Sequence, residues 1–261
     1  MALDFHWSQE RHPLQRVVVD PAQIQADQLN LTVDQRHYLQ RVLRLKSGDR
    51  FLALDGQGHL WTAILQPDAA QATLTAIAPE VAPTTGVRSR ITLAACLPKQ
   101  GFDEVVRQVT ELGVDEIVPI VSDRTVLRPS ANKLQRWRRI AAEAGEQCER
   151  LTVPKVREPL AWSSWLAQES QDTRVICVAR RSAPALLSVS LLSPLPAIEI
   201  AIGPEGGWTE SEVTQALAHG YQPASLGGSI LRAVTASVVA IGILQAGIEF
   251  ANITSSNDTS L

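Results

Sequence analysis

Apolar runs of strand length recur after residue 90, at residues 91–97, 116–121, 174–179 and 198–202, with helix-length segments between them. Each run is bounded by turn residues and too short for a buried helix. In the first interval Phe102, Val105, Val106, Val109 and Leu112 recur instead at helical spacing before Gly113. A strand–helix–strand rhythm of this kind leaves one main solution, a mainly parallel sheet covered by helices on both faces. A long helix is predicted over residues 131–149. The segment 235–246 is almost entirely small or aliphatic, which requires a helix buried over most of its surface, by its own sheet or by a second copy.

Before residue 80 the rhythm differs. Short strand-like runs at 17–19, 51–54, 60–64 and 72–77 surround the turn Asp55-Gly56-Gln57-Gly58, which reads as a hairpin. This part predicts a small β-barrel or β-sandwich, interrupted by a helix over 34–45 that Lys46-Ser47-Gly48-Asp49 stops. Residues 79–90, with Pro83 and Gly86, form an expected linker. The expected organisation is therefore a first domain over 14–82, a second over 88–250, and a disordered polar tail over 251–261.

Composition removes several function classes. The sequence shows no apolar signal core over 1–11 and no uninterrupted apolar run of membrane-spanning length, so it reads as cytoplasmic without a membrane partner. Cys96, Cys148 and Cys177 are scattered, and His6, His12, His37, His59 and His219 lack ligand spacing, so neither a disulfide framework nor a metal site is expected. No serine sits in a Gly-x-Ser-x-Gly elbow. The net charge of -3 gives no global argument for nucleic acid. Locally, however, Arg36, Arg41, Arg44, Lys46 and Arg50 cluster early, and Lys133, Arg136, Arg138, Arg139, Arg150, Lys155 and Arg157 cluster in the middle. Such regions serve either as phosphate-binding faces or as ordinary solvated helix faces.

Two glycine loops carry the chemistry. Ile202-Gly203-Pro204-Glu205-Gly206-Gly207-Trp208 follows the last strand-like run, and the capping box Thr209-Glu210-Ser211-Glu212 starts a helix just after it. Leu226-Gly227-Gly228-Ser229-Ile230-Leu231-Arg232 follows, leading into the apolar helix through Thr235. Neither loop has dinucleotide or P-loop spacing, and no lysine follows the first. Alone, each reads as a tight strand-to-helix turn. Together, side by side at one edge of a sheet, they make a site with apolar walls and exposed backbone groups, which suits a flat heteroaromatic ring such as adenine better than a triphosphate. Glu205 and Arg232 either pair with each other or one of them faces substrate.

The two loops together resemble those of the RsmE family, bacterial enzymes that methylate N3 of a uridine in the small-subunit ribosomal RNA, within the SPOUT superfamily. His37 to Arg44, Lys99-Gln100-Gly101, Glu111-Leu112-Gly113-Val114 and Glu146-Gln147-Cys148-Glu149-Arg150 add to the resemblance, which extends over residues 14–246. It implies an N-terminal PUA-like β-barrel and a C-terminal SPOUT α/β domain with a trefoil knot. It also implies a homodimer through that knotted domain and 16S ribosomal RNA, or the small ribosomal subunit, as partner, with the target in the decoding region near the 3′ end.

The cofactor implied is S-adenosyl-L-methionine. On this reading Val178, Ile202, Gly203, Pro204, Glu205, Gly206, Gly207, Leu226, Gly227, Ile230, Leu231 and Thr235 bind it. Arg36, Arg41, Arg44, Lys46, Arg138, Arg139 and Arg150 bind RNA, and Arg232 is catalytic. Gly228 and Ser229 stand where many members carry an arginine, and Val234 where many carry glutamate, so chemistry needing those groups is not implied. The rival readings are a non-catalytic RNA-binding module and a SPOUT enzyme acting on another nucleotide.

Overall fold

The computed structural model describes residues 14–76, 89–190 and 197–258. The chain divides into two compact units, with the boundary between Glu80 and Val81. Most of the expected linker lies outside the described residues.

The first unit contains β1 (Arg16–Val18), β2 (Ile24–Gln25), β3 (Gln28–Asn30), α1 (Val33–His37), β4 (Arg50–Leu54), β5 (Leu60–Leu65) and β6 (Gln71–Ala76). They form one sheet in the order β1-β4-β5-β6-β3-β2, antiparallel except where β1 runs beside β4. Val17, Leu29, Leu39, Phe51, Ala63 and Leu65 fill its core. Strand alternation explains this selection: Phe51 and Ala53 face inward while Leu52 between them is only partly buried.

The helix expected over 34–45 breaks. Thr32 caps α1 in a capping box with Gln35, but after His37 the ladder widens into a π-helical turn over Tyr38–Val42. Arg44 then adopts φ 58, so the helix ends before the predicted Lys46-Ser47-Gly48 stop. In the hairpin turn the Asp55 carboxylate accepts the backbone N–H groups of Gln57 (2.8 Å) and His59 (3.1 Å) and faces His59 Nδ1 at 2.6 Å.

The second unit contains β7 (Arg90–Cys96), α2 (Phe102–Glu111), β8 (Glu116–Val121), α3 (Ala131–Gln147), β9 (Lys155–Val156), β10 (Leu160–Ala161), α4 (Trp162–Leu166) and β11 (Thr173–Cys177). It continues through α5 (Leu186–Ser190), β12 (Ala197–Ile202), α6 (Glu210–Ala218), β13 (Gln222–Ala224) and α7 (Ala233–Asp258). Its seven strands are all parallel, in the order β10-β8-β7-β12-β11-β13, with β9 also on β8.

Side-chain alternation divides the core between the two faces of this sheet. Ile91, Leu93 and Ala95 of β7 meet α2, α3 and α7 residues such as Val106, Trp137 and Leu244. Ala94 and Cys96 join Trp162, Trp165, Val213 and Tyr221 on the other face. Pro119 has no N–H to donate, and it falls where the neighbouring strand is interrupted, between the β9 pairing at Ile117 and the β10 pairing at Ile120.

Two expectations change at the C-terminus. No glycine or proline follows Gly247, so α7 continues through residue 251, where a tail is expected, to Asp258. Over Ala233–Thr254 it is also long and apolar enough to cross a membrane by length and composition, although Gln245, Glu249 and Asn252 interrupt its apolar run. It packs here on α2, α5, β7 and β12 of its own unit.

Candidate active site

Because every strand of the second unit runs in one direction, the loops leaving their C-terminal ends gather on one side, as ligand-binding loops do in open parallel sheets. There they enclose a cavity of about 810 Å³. The first glycine loop leaves β12 and the second leaves β13, but the two strands are not neighbours; β11 lies between them. The loop after β11 is therefore a third wall, of which sequence reading had found only Val178. It adds Arg180, Arg181, Ser182 and Ala183.

The first loop is tied down from three directions. Gly207, at φ 70, closes a turn by donating its N–H to the Pro204 carbonyl at 2.8 Å. Glu205 Oε1 accepts the Lys99 N–H at 2.9 Å, and Arg124 Nη1 donates to the Gly206 carbonyl at 2.6 Å. Below it, Trp208 donates its indole N–H to the Cys177 carbonyl at 3.2 Å and packs on Trp162. A Cβ on Gly203 would meet the Trp208 ring at 3.0 Å, so any larger residue would press the backbone off that ring by a few tenths of an ångström or shift the indole. The buried Glu212 carboxylate accepts both the Thr209 N–H (2.8 Å) and the Asp123 N–H (2.9 Å), joining the capping box of α6 to the loop after β8.

The second loop is braced by Ser225, whose Oγ donates to the Gly227 carbonyl and accepts the Gly227 N–H at 3.1 Å, with Gly227 at φ 121. Val234 lies over Gly101: a Cβ there would meet Val234 Cγ2 at 3.0 Å. Position 234 is thus apolar packing in this chain.

Eleven of the twelve residues expected to bind cofactor line this cavity; Thr235, exposed on the first turn of α7, does not. Arg232 is exposed beside the wall, its neighbours Leu231 and Ala233 lining the cavity while it does not. It does not pair with Glu205, which is engaged with Lys99. Cys177 also lines the cavity, but burial pushes its thiol up to about 12, so it stays protonated and unreactive.

The expected RNA-binding residues separate by unit. Arg41, Arg44 and Lys46 are exposed around the end of the first unit's helix, and Arg36 is half-buried with an enclosed Nε that has no hydrogen-bond partner. On α3, Arg138 pairs with Glu158 and Arg139 with Glu143. Arg150 is largely enclosed, its side chain 12% exposed. It donates to the Thr110 carbonyl at 2.7 Å and to Thr152, and lies 3.8 Å from Asp115, so its guanidinium is spent inside the unit. Arg124, Arg180, Arg181 and Trp208 are among the wall residues that sequence reasoning missed. Trp208 stood within a quoted motif; the arginines gave no signal beyond their place after strand-like runs.

The second unit, all-parallel α/β with a cavity at its strand ends, and the first, a mainly antiparallel six-stranded sheet, each match a family of RNA-modifying enzymes: residues 86–245 match the RNA methyltransferase domain and residues 31–75 the RNA methyltransferase PUA domain. A ribosomal RNA small subunit methyltransferase E from Synechocystis sp. is 45% identical over 238 residues, covering 90% of this chain and 78% of that protein. Its Bacillus subtilis namesake is 27% identical over 233 residues, covering 85% and 91%. The chain belongs to the ribosomal RNA small subunit methyltransferase E family. The crystal structure of such an enzyme from Neisseria gonorrhoeae bound to S-adenosyl methionine matches with a TM-score of 0.78 at 29% identity, covering 89% of this chain and 97% of that one. A Legionella pneumophila protein solved with SAM bound matches equally well, at 0.78 and 25% identity, with the same coverage of each chain.

Proposed function

We propose that this chain methylates N3 of a uridine in the decoding region of 16S ribosomal RNA, using S-adenosylmethionine. The cavity between the β12, β11 and β13 loops carries the reading, because its residues fit the cofactor. Val178, Ile202, Leu226 and Leu231 offer apolar surface for a flat ring, and the glycine backbones offer hydrogen-bonding groups beside it. When bound, the cofactor supplies a methyl group on a sulfonium sulfur. The chain orients that group in line with N3, and most of the rate comes from this alignment.

As the N3–C bond forms and the C–S bond breaks, N3 gives up its proton to solvent or to the RNA. Arg232 on the rim offsets the negative charge that develops on the uracil carbonyl oxygens. Arg36, Arg41, Arg44 and Lys46 on the first unit, with Arg138 and Arg139 on the second, hold phosphates. Pairs such as Arg139–Glu143 are exposed and worth only ~0–1 kcal/mol, so a phosphate displaces the carboxylate readily.

The first unit, over 14–82, recognises RNA, and the second, over 88–250, carries the reaction in the bacterial cytoplasm. The trefoil knot proposed for the second unit is what membership of this family implies. A homodimer forms through α7. Val239, Ile243, Ala246, Phe250 and Ile253 make an apolar stripe along it, and Phe250 and Ile253 are 59% and 63% exposed.

Two measurements test the function. Calorimetric titration with S-adenosylmethionine must show uptake. Reverse transcription across 16S ribosomal RNA must lose one stop when the gene is deleted, because N3 methylation blocks the pairing edge; an unchanged pattern overturns the assignment. Arg232→Ala is expected to lower kcat by ~100-fold with cofactor binding intact, and full activity in that variant removes Arg232 from the chemistry.

A further inference from the structure

Beyond Val178, the wall supplied by the loop after β11 carries Arg180, Arg181 and Ser182, which the cofactor reading leaves unused. The loop is fixed at both ends: the Val178 N–H donates to the Ala224 carbonyl at 3.0 Å, and the Ser225 N–H donates to the Pro184 carbonyl at 2.8 Å. Between these anchors Arg180 sits at φ 60, in the left-handed region that long side chains avoid. Such a conformation persists only where the surroundings enforce it, and it concentrates at functional sites.

Arginines from two loops reach this side of the cavity, and their commitments differ. Arg124 is spent on the Gly206 carbonyl. Arg181 is paired with Glu210 in the first turn of α6. Arg180 lines the same cavity, is exposed, and makes neither an ion pair nor a hydrogen bond among the described residues. A guanidinium carried on a backbone anchored at both ends, with its donors free, is available to an anion from outside the chain. Its planar fork matches the paired oxygens of a phosphate.

We propose that Arg180 holds a backbone phosphate of the RNA beside the methyl-accepting base, so that the polar half of the cavity is a phosphodiester subsite. The inference rests on the methyltransferase reading above. A polymer must enter from the solvent side, where Arg180 lies, whereas the apolar half formed by Val178, Ile202, Leu226 and Leu231 suits the cofactor. Arg180 is thereby a substrate-positioning residue, and its contact adds one phosphate to those that make RNA affinity salt-dependent.

The experiment uses the full chain with S-adenosylmethionine and small-subunit RNA, comparing wild type with Arg180→Gly, Arg180→Ala and Arg180→Lys. Glycine keeps the left-handed backbone and removes the charge; lysine keeps the charge. Arg180→Gly is expected to raise KM for RNA by ~10-fold. It should also reduce the slope of log affinity against log salt by ~0.7–0.9, with cofactor affinity unchanged and Arg180→Lys restoring most of the loss. A defect in Arg180→Ala that is absent in Arg180→Gly would assign the position to backbone shape and overturn the proposal. So would a loss of cofactor affinity, which would place the cofactor carboxylate there instead. An unchanged KM and salt slope in Arg180→Gly, with the wild type methylating normally, sinks the subsite and leaves the function standing. A wild type that binds no cofactor or leaves the RNA unmethylated sinks both.

Discussion

Arg150 and Glu199 are charged residues whose partners decide their roles, and neither role is visible in sequence. The Arg150 guanidinium reaches the Thr110 carbonyl at the end of α2 and faces Asp115, which in turn accepts the Ile91 N–H at 2.9 Å at the start of β7. Arg150→Met should destabilise the fold by about 2 kcal/mol in chemical denaturation, as loss of a buried charged hydrogen bond does, while RNA affinity stays within twofold. Glu199 lies on β12 opposite Arg174 of β11, with its carboxylate 3.3 Å from the guanidinium and accepting the Trp165 indole N–H at 2.8 Å. Burial outweighs these partners and raises its carboxyl from 4.5 to about 7. The folded chain therefore holds this proton more tightly than the unfolded chain. The contribution to stability is present below about 4.5 and is lost as pH rises through about 7. Glu199→Gln removes that dependence: thermal unfolding across this range should show the variant gaining on wild type as pH increases, and parallel curves would contradict the shift.

Among the elements, α7 combines three tasks that its composition alone could not separate. Ala233, Ser237, Ala240, Ile241, Leu244 and Ile248 bury one side against the sheet and its covering helices, and the N-terminal turn forms part of the cavity wall. The stripe through Ile243, Phe250 and Ile253 is the face proposed for a second copy. Phe250→Glu should convert a dimer into a monomer in sedimentation equilibrium, with the circular dichroism spectrum retained; a variant that sediments as the wild type does would rule out this face as the interface. The strands β7, β8, β11 and β12 were legible because their apolar runs are long and clearly bounded. The elements β9, β10, α4, α5 and β13 are two to five residues long, too short for any periodicity to register, and β13 contains a proline. The π-helical turn after α1 was hidden for another reason: Tyr38 to Leu43 has good helical composition, and only the ladder geometry distinguishes it.

For the whole molecule, charge matters locally while the net value of -3 says little. If Arg41 and Arg44 hold phosphates, Arg41→Gln combined with Arg44→Gly should lower the salt slope of RNA binding by roughly 1.4–1.8, with kcat at saturating RNA unchanged. Glycine is chosen at 44 because it accepts the φ of 58 found there. An unaltered slope would mean that the first unit binds RNA by shape or base contacts instead. The sequence by itself determined the class of fold and the two loops that line the cavity, because strand–helix alternation, capping boxes and glycine loops are local patterns fixed by sterics and hydrogen bonding over a few residues. Ten of the eleven expected residues that line the cavity occupy two contiguous loops, so local sequence already grouped them. Only the tertiary structure decided which strands became neighbours. Inserting β11 between β12 and β13 brought Arg180 and Arg181 to the site, set Arg124 on Gly206, and left Arg232 on the rim. Strand order depends on long-range packing of sheet and helix faces that are nearly interchangeable in sequence, and so no local pattern encodes it.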